Sequence, residues 1–133
     1  MKKVLIADKL SSEAEKIFLA NNISCDIKIG LKESELENIA GNYSAIIVRS
    51  ATKITKKVID AGGNLKVLGR AGIGVDNIDI NAATDKGIVV MNTPYGNSIT
   101  TAEHTISLMM SLARNIPHAN ESTKSGNWEK SKF

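Results

Sequence analysis

The chain has 133 residues and a net charge of +3, and is 42% hydrophobic but only 4% aromatic. That length can bury roughly two-thirds of the unfolded surface in one aliphatic core without staples, while stacking on nucleic-acid bases is poorly supplied. Basic and acidic residues are interspersed and no run approaches the ~20 apolar residues of a membrane span, which argues against a nucleic-acid or membrane partner.

The N-terminal apolar run "KVLIA" stops at Ala7, before Asp8, too early for the core of a signal peptide. It opens a series of five short runs rich in β-branched residues, continued by "SCDIKI", "SAIIV" ending at Arg49, "LKVLG" ending at Arg70 and "GIVVM" ending at Asn92. Cys25, the single cysteine, lies in the second run; it excludes an intramolecular disulfide, fits a reducing cytoplasm and reads as a small buried residue on a strand. Stretches of helical period alternate with these runs. "SSEAEKIFLANN" has Ser11 or Ser12 as a cap and Ala14, Ile17, Phe18 and Ala20 facing inward, and "KESELENIAG" turns Leu36, Ile39 and Ala40 inward. "TKKVIDAGG" and "DINAATDKG" read as shorter helices stopped by glycine. Strands alternating with helices through short connections predict an α/β fold, a flavodoxin-like, doubly wound parallel sheet of five strands.

A longer helix is predicted from Ser98 to about Asn115, with Thr100 and Glu103 spaced as a capping box and Pro117 as a stop. Ile99, Ile106, Leu108, Met109, Met110 and Leu112 cover more than one stripe of it, so it needs partners on more than one side: a second domain, a second subunit or both. His104 is expected to pack inside this helix and His118 to meet solvent. After Pro117 the chain turns polar and no finishing element is apparent.

The loop "GRAGIGVDNID", Gly69 to Asp79, resembles half of a dinucleotide fingerprint, but its third position is Asn77 and it follows the fourth strand, not the first. The glycines could serve only as positive-φ turn residues, with Asp76 or Asp79 capping the next helix. The neighbouring strand ends argue for more. In a parallel sheet every strand's carboxyl end lies at one edge, where ligands bind. That edge collects Asp8, "RSATKIT", "RAGIGVDN" and "NTPYGNS". Arg49 and Arg70 can hold carboxylate or phosphate oxygens bidentately, Ser50 and Thr52 add hydroxyls, and Gly72 and Gly74 let backbone N–H groups approach an anion. Asn97 and Ser98 bring further donors at the positive end of the long helix. The inferred ligand is a small polyanion.

The blocks "VRSATKIT", "LKVLGRAGIGVDNIDINAATDKGIVVMNTPYGNS", "TTAEHTISLMMSLARNIP" and "GNWEKSKF" closely resemble the D-isomer-specific 2-hydroxyacid dehydrogenases, covering most of residues 45–133 in family order. The resemblance is nearest to the members that oxidise 3-phosphoglycerate to 3-phosphohydroxypyruvate with NAD, the opening step of serine synthesis. It implies an enzyme with a flavodoxin-like substrate domain, here about residues 1–97, and an inserted nucleotide domain entered through the long helix, with residues 98–133 as that linker helix and the start of the nucleotide domain. It also implies a homodimer built through that helix and the nucleotide domain. Carried over residue by residue, Arg49 and Ser50 lie where the family holds a substrate anion. Arg70, Gly72, Ile73 and Gly74 form the substrate loop, Ile73 also approaching the nicotinamide side of NAD, and Asn97 with Ser98 matches the hinge near substrate. The family's dinucleotide glycines, ribose-binding acid, catalytic arginine and glutamate–histidine pair all come later than "GNWEKSKF". The resemblance thus implies the N-terminal part of a dehydrogenase, with no catalytic residue among these 133 and no hydride transfer on its own. A different 2-hydroxyacid as substrate, a phosphorylated receiver using Asp8, a flavin electron carrier and a free-standing binding module are the competing readings. A receiver has an acid where Arg49 ends the third strand, and a flavin carrier needs a hydroxyl cradle that "DKLSSEA" lacks.

Overall fold

A computed structural model describes residues 2–133. It divides into two compact units, Met1–Gly96 and Asn97–Phe133. The first contains β1 (Lys3–Ile6), α1 (Ser12–Ala20), β2 (Ser24–Ile27), α2 (Glu33–Ala40), β3 (Ala45–Val48), α3 (Lys56–Ala61), β4 (Val67–Arg70), α4 (Ile80–Asp85) and β5 (Val89–Met91). All strand pairs are parallel and the order is β2-β1-β3-β4-β5, the doubly wound flavodoxin-like arrangement expected. The register sets Val4 beside Ala45, Ala45 beside Val67 and Val67 beside Val89, so alternate residues of four strands share each face.

The two faces are covered unequally. Leu5, Ile46, Val48 and Leu68 are fully buried against Leu36, Val58, Ile59 and Ala83 of α2, α3 and α4. On the opposite face Val4 and Ile6 are buried, but Ala45, Ile47, Val67 and Gly69 are half-buried, and Val89 and Met91 are 56% and 57% exposed. A cavity of about 640 Å³ lies over that face, floored by Val4, Ala45, Ile47, Val67, Gly69 and Met91, with Phe18 of α1 at its side.

This asymmetry corrects the inward set expected for α1. Ala14 and Phe18 are half-buried, whereas Ile17 is 60% exposed and Ala20 is also exposed, because α1 packs on β2 at one margin of the sheet and buries no residue completely. The Ser11 cap is present: its hydroxyl accepts from the Glu13 N–H. Leu36 and Ala40 are buried and Ile39 packs on the core as expected. Cys25 lies on β2 and is only half-buried; burial and the Glu15 and Asp26 carboxylates push its thiol up. At the opposite end of the strands from the candidate site, the buried Tyr43 hydroxyl donates to Asp26, which also pairs with Lys3. Burial first, then the bond to Asp26, pushes the phenol up to about 12.

The second unit contains α5 (Ser98–Ala113), α6 (Ile116–Lys124) and a 3-10 turn at Lys130–Lys132. Two expectations fail here. Thr100 lies within α5, whose N-cap is Asn97, so Thr100 and Glu103 form no capping box. Pro117 sits in the first turn of α6, where a missing N–H is tolerated, so it begins a helix where it was expected to act as the stop of the preceding one. Asn115, at φ 50°, makes the break between the two helices. Neither α5 nor α6 buries a residue completely, and both His104 and His118 are exposed, so His104 is not packed as expected. Among the described residues no helix is long and apolar enough to cross a membrane.

Candidate functional site

Because all five strands run the same way, Asp8, Arg49 and Asn92, which follow β1, β3 and β5, and Arg70, which ends β4, lie at a single edge of the sheet, and each loop there is tied to the next. Asp8 begins the series. It is 5% exposed, and its carboxylate accepts from the Arg49 N–H (2.6 Å), the Thr52 N–H (3.2 Å) and the Thr52 hydroxyl (2.7 Å). Burial pushes this carboxyl up, but the Thr52 hydroxyl and the N–H groups of Arg49, Thr52 and Ala51 outweigh it and hold the group below the ordinary carboxylate range.

The loop after β3 is zipped to the loop after β4. The Ile54 N–H donates to the Asn77 carbonyl (2.8 Å) and the Asp79 N–H to the Ile54 carbonyl (2.9 Å). The Asn77 side-chain amide donates to the carbonyls of Arg49 and Thr52, both at 2.6 Å. Arg70 reaches the same place: its Nε donates to the Arg49 carbonyl at 3.3 Å, and its Nη1 pairs with Asp76 at 3.2 Å. The loop after β4 is in turn tied to β5, where the Thr93 N–H donates to the Gly72 carbonyl (3.0 Å) and the Asn92 amide to the Ile73 carbonyl (2.7 Å).

The predicted substrate-loop residues Arg49, Ser50, Arg70, Gly72, Ile73 and Gly74 therefore meet at this edge. Asn97 and Ser98 open the second unit, as N-cap and first residue of α5. The glycines work differently from a positive-φ turn, since neither Gly72 nor Gly74 has positive φ. A Cβ at Gly74 would sit 2.8 Å from both Arg70 Nη1 and Asp76 Oδ1, so a side chain there would displace the ends of that ion pair. The Gly72 N–H is turned to the Arg70 carbonyl (2.9 Å), whereas among the described residues the N–H groups of Ser50, Ile73 and Gly74 donate to no protein acceptor. The Arg49 side chain is exposed, while that of Arg70 is 11% exposed and engaged within the loop. Asp79, not Asp76, caps α4, accepting from the Ala82 N–H at 3.0 Å. The edge thus presents one exposed guanidinium, one hydroxyl and open backbone donors on a rigid frame, an arrangement suited to a small anion.

The profile of one family, described as D-isomer specific 2-hydroxyacid dehydrogenase, catalytic domain, matches residues 4–127. The chain belongs to this family. It is 53% identical over 131 residues to D-3-phosphoglycerate dehydrogenase of Archaeoglobus fulgidus, covering 98% of this chain and 25% of that protein. It is 49% identical over 133 residues to the Homo sapiens protein of the same name, covering all of this chain and 25% of that one. The chain spans about a quarter of the length of these curated relatives. Among solved structures, a Pyrococcus horikoshii OT3 protein superposes with a TM-score of 0.85 at 33% identity, covering 97% of this chain and 38% of that chain. The NAD+-bound 3-phosphoglycerate dehydrogenase of Entamoeba histolytica does so with 0.71 at 29% identity, covering 83% and 38%.

For a 2-hydroxyacid dehydrogenase family member, the residues that sequence reasoning passed over are those that hold the frame. In the sequence Asn77 reads as a missing glycine, and Asp8 as an acid at the edge or the acceptor of a receiver. Lys9 and Leu10, together with Arg49 and the helix cap Ser11, line a cavity of about 350 Å³ beside the exposed guanidinium.

Proposed function

We propose that this chain is the substrate-binding part of an NAD-dependent D-3-phosphoglycerate dehydrogenase. Arg49, Ser50 and the N–H groups of Ile73 and Gly74 hold the anionic groups of 3-phosphoglycerate, Arg70 shapes the loop that presents them, and Asn97 with Ser98 forms the hinge towards the nucleotide-binding part. Residues 1–97 act as the substrate domain and 98–133 as the linker helix and beginning of the nucleotide domain. The observation that carries the reading is the rigid edge with its exposed guanidinium and open N–H donors, in a chain about half identical to proteins of that name. Ile73, 42% exposed and fixed through its carbonyl, suits the nicotinamide end of the dinucleotide. These residues offer no pyrophosphate cradle, so they fit NAD at that end alone. The cofactor, when bound, accepts the hydride; this chain binds and orients the hydroxyacid.

Titration of the 15N-labelled chain with 3-phosphoglycerate tests the reading. Amide shifts at Arg49, Ser50, Ile73 and Gly74 are expected, with loss of binding in Arg49→Ala. Unmoved amides would overturn it, and an equal response to D-lactate would turn the assignment to another 2-hydroxyacid. The purified chain should show no NAD-dependent oxidation of 3-phosphoglycerate. Homodimerisation through the apolar surface of α5, where Ile99 is 76% and Met109 64% exposed, belongs to the same proposal, and light scattering at graded concentrations checks it.

A further inference from the structure

We infer that Asn77 is a positioning residue of the anion site: its side-chain amide fixes the Arg49 peptide, and with it the direction in which the Arg49 side chain and the Ser50 N–H leave the sheet edge. The inference rests on the anion-binding reading above and adds to it a residue placed in no contact with the anion.

Four observations carry it. The carbonyls of Arg49 and Thr52 can only accept, so two bonds of 2.6 Å to them require the nitrogen of the amide, and its orientation is not interchangeable. The Arg49 residue is gripped on both sides, its N–H by the buried Asp8 carboxylate and its C=O by Asn77 and Arg70 Nε, so the backbone torsions that aim its side chain are held from two directions. Asn77 is itself anchored, because its carbonyl accepts from Ile54 and the adjoining residues Ile54 and Ile78 form a parallel bridge. Finally, Asn77 Oδ1 is buried and among the described residues has no hydrogen-bond partner. A buried acceptor left unpaired is a penalty the fold tolerates where the rest of the side chain is needed. An aspartate of the same shape would face two carbonyls with a carboxylate, and a glycine or alanine would leave both carbonyls without this donor.

The test compares Asn77→Ala, the isosteric Asn77→Asp and a control, Asn64→Ala, in this chain. Asn64 makes the same kind of bond, amide to the Gly41 carbonyl at 2.6 Å, away from the edge. In Asn77→Ala the affinity for 3-phosphoglycerate should fall about tenfold, with faster hydrogen exchange at the Arg49 amide, which Asp8 holds, and unchanged amide shifts in the sheet. Asn77→Asp should not restore affinity at neutral pH. Asn64→Ala should lower the melting temperature while leaving Kd within about twofold. Wild-type Kd and wild-type exchange at Arg49 in folded Asn77→Ala would overturn the inference. So would an equal loss of affinity in the control, because the effect would then be general destabilisation. If the alanine variant does not fold, the wild type decides. Both Nδ2 protons of Asn77 should exchange slowly, and exchange as fast as that of an exposed asparagine would refute the clamp. Absence of any 3-phosphoglycerate binding by the wild type defeats the anion reading instead, and exchange at the Arg49 amide in Asn77→Ala then decides the positioning role alone.

Discussion

The two faces of the sheet carry similar residues and meet different fates. Leu5, Ile46 and Leu68 on one face are fully buried under α2, α3 and α4, while Ile47, Val67, Val89 and Met91 on the other are half-buried or exposed beside α1. A continuous apolar run such as "AIIV" says that both faces of β3 avoid water, but not that one chain segment covers both. Periodicity reports the demand for burial; the supply depends on which helices the topology lays on each side. The difference also ranks the residues. Stability is concentrated on the covered face; on the open one Val4 and Ile6 of β1 are buried, while Val89 and Met91 of β5 add little in this chain.

Four substitutions break or sharpen that contrast. Ile46→Ala empties a fully buried position on the covered face and should destabilise the fold by about 2–5 kcal/mol in urea denaturation. Asp8→Asn tests the edge where both faces end. Because the Asp8 carboxyl is held below its unfolded value, its contribution is complete above the ordinary carboxylate pKa of about 3.9 and is lost as pH falls through the lower folded value. The variant should therefore be about 1–3 kcal/mol less stable than wild type at pH 7, and the two unfolding curves should converge as the solution is acidified below the folded pKa. A constant gap down to the lowest pH would show that charge is not what matters. Asp79→Ala removes the cap of α4, one of the covering helices, and should cost about 1 kcal/mol. Val89→Ala, at 56% exposure on the open face, should change stability by less than about 0.5 kcal/mol. A loss comparable to that of Ile46→Ala would mean that the open face is covered in solution.

The strands, their order and the edge at which the loops meet were legible because each rests on local pattern: apolar runs, short connections and the handedness of parallel crossovers. Arg49, Ser50 and the loop from Arg70 to Gly74 were legible for the same reason, as charged or glycine-bearing residues at strand ends. Elsewhere local pattern misled. Thr100 and Glu103 have capping spacing, yet α5 begins at Ser98, and Pro117 begins a helix as readily as it ends one. Ile17 has helical spacing for burial, but α1 lies at the margin of the sheet. The work of Asp8 and Asn77 left no signal at all. Both bind backbone atoms of a distant loop, and a backbone acceptor has no residue type to mark it in the sequence.

That distance has a kinetic consequence. The bonds that set the edge join residues 41 and 44 apart through Asp8, 25 and 28 apart through Asn77, and 19 apart through Asn92. No short piece of chain can make them, and each follows a loop closure whose entropy must be met first. The edge therefore forms late, once β1, β3 and β4 are aligned, and an anion bound there as proposed would discriminate the finished unit from every partly folded one. A ligand at about 100 times its Kd would add about 2.7 kcal/mol to that unit, expressed as slower unfolding with an almost unchanged rate of folding.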